Sequence, residues 1–185
     1  MNLIDAGHPD RPLIERFIAD RYRHRYGAEV MDFHELLIGK RNAEGQWTAA
    51  LGMTPLAFRP GFLEQYLDGP VEEAVAQRLQ ATGKPASVLR WDMVELGNLA
   101  ATQVGAAREL ICRMREYLAH RHFRWVVLTA TRELANSFRR LGYEPEVLSR
   151  AEPARLTQSV SRWGSYYLSQ PQVVFFDIEA SYVTQ

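Results

Sequence analysis

The stretch Val94-Glu95-Leu96-Gly97-Asn98-Leu99-Ala100, followed by Thr102-Gln103-Val104-Gly105-Ala106-Ala107, decides how this chain reads. An apolar segment running into an amphipathic one describes a strand that passes into a helix whose first turn is built from small residues. Helix N-terminal amides lack intrahelical partners and face outward, so a first turn of little bulk admits a phosphate. A carboxylate, Glu95, sits just upstream on the strand. Phosphate-compatible amides beside a potential base suit transfer of an acyl group from a phosphopantetheine carrier.

Downstream, Ala106, Ala107, Leu110, Ile111, Met114 and Leu118 form one stripe of a helix ending near residues 120–122. Residues 125–128 are a continuous apolar run, as a central strand covered on both faces requires. A further helix is expected over residues 132–141, with Arg139 and Arg140 at its negative end and Gly142 as its stop. Strand, helix, strand, helix in succession gives a βαβ core with parallel pairing.

Upstream, residues 87–99 alternate with Leu89, Trp91 and Met93 on one face and read as a long strand. Extending that phase places Glu95 on the apolar face, unless a bulge intervenes. Asp68 is placed to cap a helix with Pro70 in its first turn, Val71, Ala74, Val75 and Leu79 on its apolar side, and Gly83 past its end. Asp10 and Pro12 open a first amphipathic helix that runs to Gly27. Residues 33–38 and 47–52 flank the polar turn Asn42-Ala43-Glu44-Gly45 and read as an antiparallel hairpin. In the tail, Ser149-Arg150-Ala151-Glu152 has capping-box spacing for a short helix, and residues 173–178 form a strand candidate. The expected fold is α/β, in a single domain over residues 1–185: a mixed central sheet with flanking helices.

The 22 basic residues balance 22 acidic ones, so composition gives no electrostatic drive towards nucleic acid or anionic membrane. Apart from Lys40 and Lys84 the basic residues are arginines, which suit bidentate phosphate or carboxylate contacts. Cys112 is the single cysteine, which excludes an intramolecular disulfide and a cysteine-based zinc cluster. The N-terminus lacks a signal-peptide pattern, and no apolar run approaches the ~18 residues that cross a bilayer, so a cytoplasmic protein is expected.

Glu95 to Ala107, the helix after it and the ending Phe138-Arg139-Arg140-Leu141-Gly142-Tyr143 resemble the central motifs of the GNAT N-acyltransferase superfamily. The closer resemblance is to the thermostable haemolysin family. It rests on Phe62-Leu63-Glu64-Gln65-Tyr66-Leu67-Asp68 with Pro70-Val71-Glu72, on Val94 to Ala100, and on Trp163-Gly164-Ser165-Tyr166-Tyr167 with Pro171. The resemblance implies a strand that splays from its parallel neighbour near Asn98, so that pantetheine lies in the gap and pyrophosphate on the turn. The donor would be coenzyme A or an acyl carrier protein, held through Leu96, Asn98, Thr102, Val104, Gly105, Ala106, Ala107 and Thr131. Two departures stand out. Thr102 occupies the first loop position, usually Arg or Gln, and Phe138 stands where a phenol often protonates the departing thiolate, with Thr131 in place of the usual Asn seven residues before it. A water or a tail tyrosine would then serve as the acid, or the thiolate leaves unprotonated. The acyl-homoserine lactone synthases are similar in their strand carboxylate and carrier use.

An amine must lose a proton to attack a thioester, and a carboxylate desolvated beside an apolar strand face has a raised pKa suited to taking it. The bland alternative for Glu95 is a solvated strand-end residue or a partner of Arg90 or Arg108. Trp91, Tyr66 and Tyr166 are candidate contacts to the acyl chain or acceptor, since such rings give apolar walls with polar tips. Cys112 lies off the apolar stripe and reads as a bystander thiol. His120 and His122 are poorly spaced for a shared metal, and no metal is expected. His34 and Glu35 are read as pointing to opposite faces of a strand, so they form no acid–base pair.

Three functions therefore stand side by side. The leading one is transfer of an acyl group to the amine of a small molecule, with Glu95 as base. The others are direct membrane damage, as the family name suggests, and a catalytically inactive acyl-carrier-binding module.

Overall fold

The computed structural model describes residues 2–84 and 87–180. One seven-stranded sheet carries the fold, in the order β1-β2-β3-β4-β5-β7-β6. The strands are β1 (Asn2–Ile4), β2 (Leu36–Arg41), β3 (Trp47–Pro55), β4 (Met93–Ala101), β5 (Trp125–Ala130), β6 (Glu146–Arg150) and β7 (Gln172–Asp177). Four helices pack on it: α1 (Arg11–Tyr26), α2 (Val71–Ala81), α3 (Val104–His120) and α4 (Arg132–Arg140). Only β4 and β5 are parallel, joined by α3 as the crossover; all other pairings are antiparallel. The parallel pair with its crossover helix is what the βαβ pattern implied, and the mixed sheet around it is the GNAT-like α/β arrangement that the resemblance implied.

The alternation of β4 and β5 assigns their side chains to two cores. Val94, Leu96, Val126 and Leu128 face α3, where Ala106, Leu110, Ile111, Met114 and Leu118 are buried with Phe138 of α4. Met93, Trp125 and Val127 face the other side, against Val71, Val75 and Leu79 of α2. At roughly 1.5–3 kcal/mol for each large apolar side chain fully buried, the α3 stripe is a major contributor to stability. Glu95 shares the Met93 side and is only 3 % exposed.

A bulge interrupts β4. Ala50 pairs with Ala100, but Gly52 pairs with Gly97, so β4 holds one extra residue there. Asn98 has a φ of 50°, a left-handed conformation that asparagine tolerates better than most residues. The insertion reverses the alternation: Leu99 and Ala101 join the α3 side, while Ala100 packs with α1. Below the bulge, β4 pairs with β5 from Met93 to Leu96. Beyond it β4 pairs only with β3, and the end of β5 only with β7. The two parallel strands splay at Leu96 and Leu128.

Four expectations need correction. The long strand begins only at Met93, because Arg90–Asp92 is a 3-10 turn that leaves Leu89 and Trp91 55 % and 65 % exposed. Asp68 does not cap α2; the Glu64 carboxylate takes the Val71 N–H instead, at 3.0 Å. Ser149 lies inside β6 rather than at a helix start, and its hydroxyl donates to the Tyr66 carbonyl. The hairpin strand starts at Leu36, so His34 and Glu35 precede it. Neither β1 nor β6 was expected.

Candidate active site

Glu95 reaches into the space between β4 and the 3-10 turn Phe62–Tyr66. Its carboxylate accepts the Phe62 N–H at 2.7 Å and the Leu63 N–H at 2.9 Å. Burial pushes its pKa up to about 7, against the downward pull of those two amides. Neither bland alternative holds, since Arg90 is engaged elsewhere and no cation pairs with Glu95 among the described residues. Arg90 instead bonds Glu64 at 2.7 Å and Glu72 at 2.5 Å. Glu64 also accepts the Gly61 N–H at 2.7 Å. Burial opposes the charge on Glu64, but Arg90 and the amides outweigh it and hold its pKa below the usual carboxylate range. This network fixes the turn that presents two amides to Glu95. Gly61 is needed there, because a Cβ would stand 2.6 Å from Glu95 Oε2.

Glu95 lines a cavity of about 260 Å³ together with Tyr66, Trp163, Tyr166 and Tyr167. The phenols of Tyr66 and Tyr167 share a 2.5 Å hydrogen bond, and burial raises the pKa of both. His34 is in the same wall, its Nδ1 3.0 Å from Thr54 Oγ1. Burial, aided by Arg59 and Arg11, pulls its pKa down to about 4, so the imidazole is neutral near pH 7. Gly97 and Gly52 make room for it: a Cβ on Gly97 would meet His34 Nε2 at 2.2 Å. Sequence reasoning missed His34; the only signal was a pair of glycines on neighbouring strands, visible once the strands are paired.

A second cavity of about 400 Å³ opens on the far side of the splay, between α1, α3 and α4. Leu96, Gly97, Thr129 and Tyr166 line both cavities, so the two meet where β4 and β5 part. Apolar walls from Leu99, Ile111, Leu128 and Phe138 lead to a rim holding Arg21, Arg25, Arg108 and Arg140. Arg25 is paired with Glu133 at 2.5 Å.

The residues expected from sequence divide between these spaces. Glu95, Tyr66, Tyr166, Leu96 and Asn98 line the first cavity; Thr102, Ala107 and Thr131 line the second, with Leu96 and Tyr166 common to both. Asn98 lies on the Glu95 side, where its Oδ1 accepts the His34 N–H at 2.9 Å. Thr131 caps α4 by accepting the Leu134 N–H. The amides of Ala106 and Ala107 are directed at the Gln103 carbonyl, 3.2 and 3.4 Å away, and Ala106 itself is buried in the core. Gly105 is exposed at the start of α3, and the Val104 side chain lies outside the described residues. Trp91 is not brought to either cavity; its ring packs edge-on against Phe58 on the surface. Phe138 stacks on Phe176 and Tyr143 in the core and has no proton to give. Cys112 is exposed.

A thermostable hemolysin family model matches residues 4–182. The chain belongs to that family. Among solved structures it is similar to the AHL synthase LasI, at 13 % identity and a TM-score of 0.61, covering 96 % of this chain and 88 % of that one. FeeM, an N-acyl amino acid synthase from uncultured soil microbes, aligns at 11 % identity and a TM-score of 0.59 over 98 % of both chains. A ribosomal-protein-alanine N-acetyltransferase from Brucella melitensis aligns at 14 % identity and 0.53, over 96 % and 98 %. At these identities the likeness is one of fold. Compared with curated proteins by sequence, the chain matches none.

Proposed function

We propose that this thermostable hemolysin family member is an acyltransferase that moves an acyl group from a coenzyme A or acyl-carrier-protein thioester to the amine of a small molecule. The observation that carries this reading is Glu95, a buried carboxylate with a pKa near 7, placed beside the gap where two cavities meet between splayed strands. Relatives in fold whose names state acyl or acetyl transfer to amines support it.

In this reading the larger cavity takes the donor. Its arginine rim meets the phosphates, and its apolar walls take the pantetheine arm, bringing the thioester to the splay at Leu96. The acceptor amine enters the smaller cavity. Glu95 removes a proton from the amine nitrogen as that nitrogen bonds to the thioester carbon. Two amide donors to the carboxylate keep it poised without holding every lone pair. The C–S bond then breaks, and the thiolate leaves with a proton from water or from a tail phenol such as Tyr166 or Tyr167. Holding both reactants across one gap supplies most of the acceleration, and general base catalysis about 10²–10⁴-fold more.

Intact mass spectrometry of the protein with an acyl-thioester library and a panel of amines tests the proposal. Transfer that is lost in Glu95→Gln, with donor binding retained, is the expected result. Donor binding without product across the panel would describe a carrier-binding module instead. Among the described residues no helix is long and apolar enough to cross a membrane, yet lysis of erythrocytes by the pure protein alone would overturn the enzymatic reading.

A further inference from the structure

The charged groups lining the Glu95 cavity are not equally satisfied. Asp32 accepts a hydrogen bond from Gln158 at 2.9 Å. Arg59 is paired with Glu35 at 3.1 Å, and Glu95 holds its two amides. Glu29 is exposed to solvent. Arg162 is the exception: half-buried in the cavity wall, its guanidinium has neither a hydrogen bond nor an ion pair among the described residues. The next residue, Trp163, also lines the cavity, and its indole N–H is buried without an acceptor.

Both donors sit on one 3-10 turn, Val160–Trp163, which is held firmly in place. The Arg162 carbonyl accepts the Glu29 N–H at 2.6 Å, and the Ser165 N–H bonds the Tyr26 carbonyl at 2.8 Å. Gly164, with a φ of 51°, brings the backbone against the end of α1, where a Cβ would stand 2.0 Å from the Tyr26 carbonyl oxygen. The guanidinium fork of Arg162, without a partner on a turn anchored to α1, suits the planar acceptor pair of a carboxylate. The Trp163 N–H is withdrawn from water without a partner, which is costly, so an occupant that supplies an acceptor is favoured. Aromatic rings of Phe62, Tyr66 and Trp163 complete the wall and favour an apolar side chain.

We propose that the acceptor carries a carboxylate beside its reactive amine, as an α-amino acid does, and that Arg162 binds that carboxylate while Glu95 faces the amine. This rests on the acyl-transfer reading for the direction of the chemistry, but the recognition itself is measurable without turnover. N-octanoyl-phenylalanine and its neutral isostere N-octanoyl-phenylalaninamide stand in for the two kinds of product. By calorimetry the free acid is expected to bind at least about tenfold more tightly than the amide, the scale of one hydrogen bond to a charged group. Arg162→Gln is expected to bring the acid down to the amide and leave the amide unchanged. Equal binding of the two probes, binding of neither, or an equal loss for both in Arg162→Gln would overturn the proposal. Turnover of octanoyl thioesters with phenylalanine is read separately. A preference for the acid without product would sink the transfer reading alone, and product without that preference would sink the carboxylate site alone.

Discussion

Glu95 combines two opposed influences, and their balance sets its chemistry. Burial disfavours the anion, while two backbone N–H groups favour it. Burial wins, and the pKa near 7 leaves a base able to take a proton in neutral solution without being permanently ionised. We expect Glu95→Gln to lower kcat by about 10²–10⁴-fold with donor affinity unchanged, and wild-type kcat/KM to rise with pH through about 7 and then level; a flat profile would remove Glu95 from the proton transfer. The same shift has a consequence for stability. A carboxyl whose folded pKa lies above its unfolded value of about 4.5 binds protons more tightly when folded. Its contribution is complete below pH 4.5 and is lost as pH rises to about 7, on the order of 3 kcal/mol in all. Urea denaturation between pH 4 and 8 should show this slope in wild type and a shallower one in Glu95→Gln, other carboxylates being common to both.

At the scale of elements, the turn Phe62–Tyr66 matters as much as the carboxylate it faces. Its position depends on Arg90, which ties Glu64 to Glu72 and also donates to the Leu56 carbonyl at 2.7 Å. Arg90→Met leaves two carboxylates and a carbonyl without their shared donor, and we expect it to destabilise by about 3 kcal/mol in chemical denaturation, with kcat falling as the amides at Glu95 drift. Gly61→Ala should act more locally: a methyl 2.6 Å from Glu95 Oε2 displaces the carboxylate, so activity falls far more than the melting temperature. These elements were unequally legible in the sequence. Strong periodicity exposed α3, and the unbroken apolar run exposed β5, because both are covered by core on the faces that count. The 3-10 turn at Arg90–Asp92 was read as strand because three residues of turn preserve the apparent alternation of Leu89, Trp91 and Met93. Strand β6 is the last in the sheet and only half-covered, so Glu146, Ser149 and Arg150 show no apolar rhythm; β1 is too short to show any. The passage from strand into helix over residues 94–107 and the placing of Glu95 on a buried face were legible as local patterns. His34 and Arg162 were not, since their meaning comes from pairing with Gly97 and from closure of the tail over residues 29–34, contacts between parts of the chain that no local pattern joins.

Across the whole molecule, the proposed reading assigns the two reactants to the two cavities that meet at the splay. The larger cavity gathers Arg21, Arg25, Arg108 and Arg140 with only Glu133 as an acidic neighbour in the same lining, whereas the Glu95 cavity mixes both signs. With Thr102 in place of a longer loop side chain and two α3 amides turned towards Gln103, the proposed donor site relies on these arginines for much of its attraction for phosphates. Exposed guanidinium groups act largely through unscreened charge, so the dissociation constant of an acyl thioester should rise steeply between 50 and 500 mM salt, as the Debye length shrinks from ~14 to ~4 Å. Arg108→Gln and Arg140→Gln should each weaken thioester binding by about threefold at low salt, the scale of a surface ion pair, and each should flatten the salt dependence. Because Arg108 and Arg140 line only the donor cavity, neither change should alter the binding of N-octanoyl-phenylalanine measured without thioester. An arginine substitution that weakened both ligands alike would mean that the two cavities are not the separate donor and acceptor spaces that their walls describe.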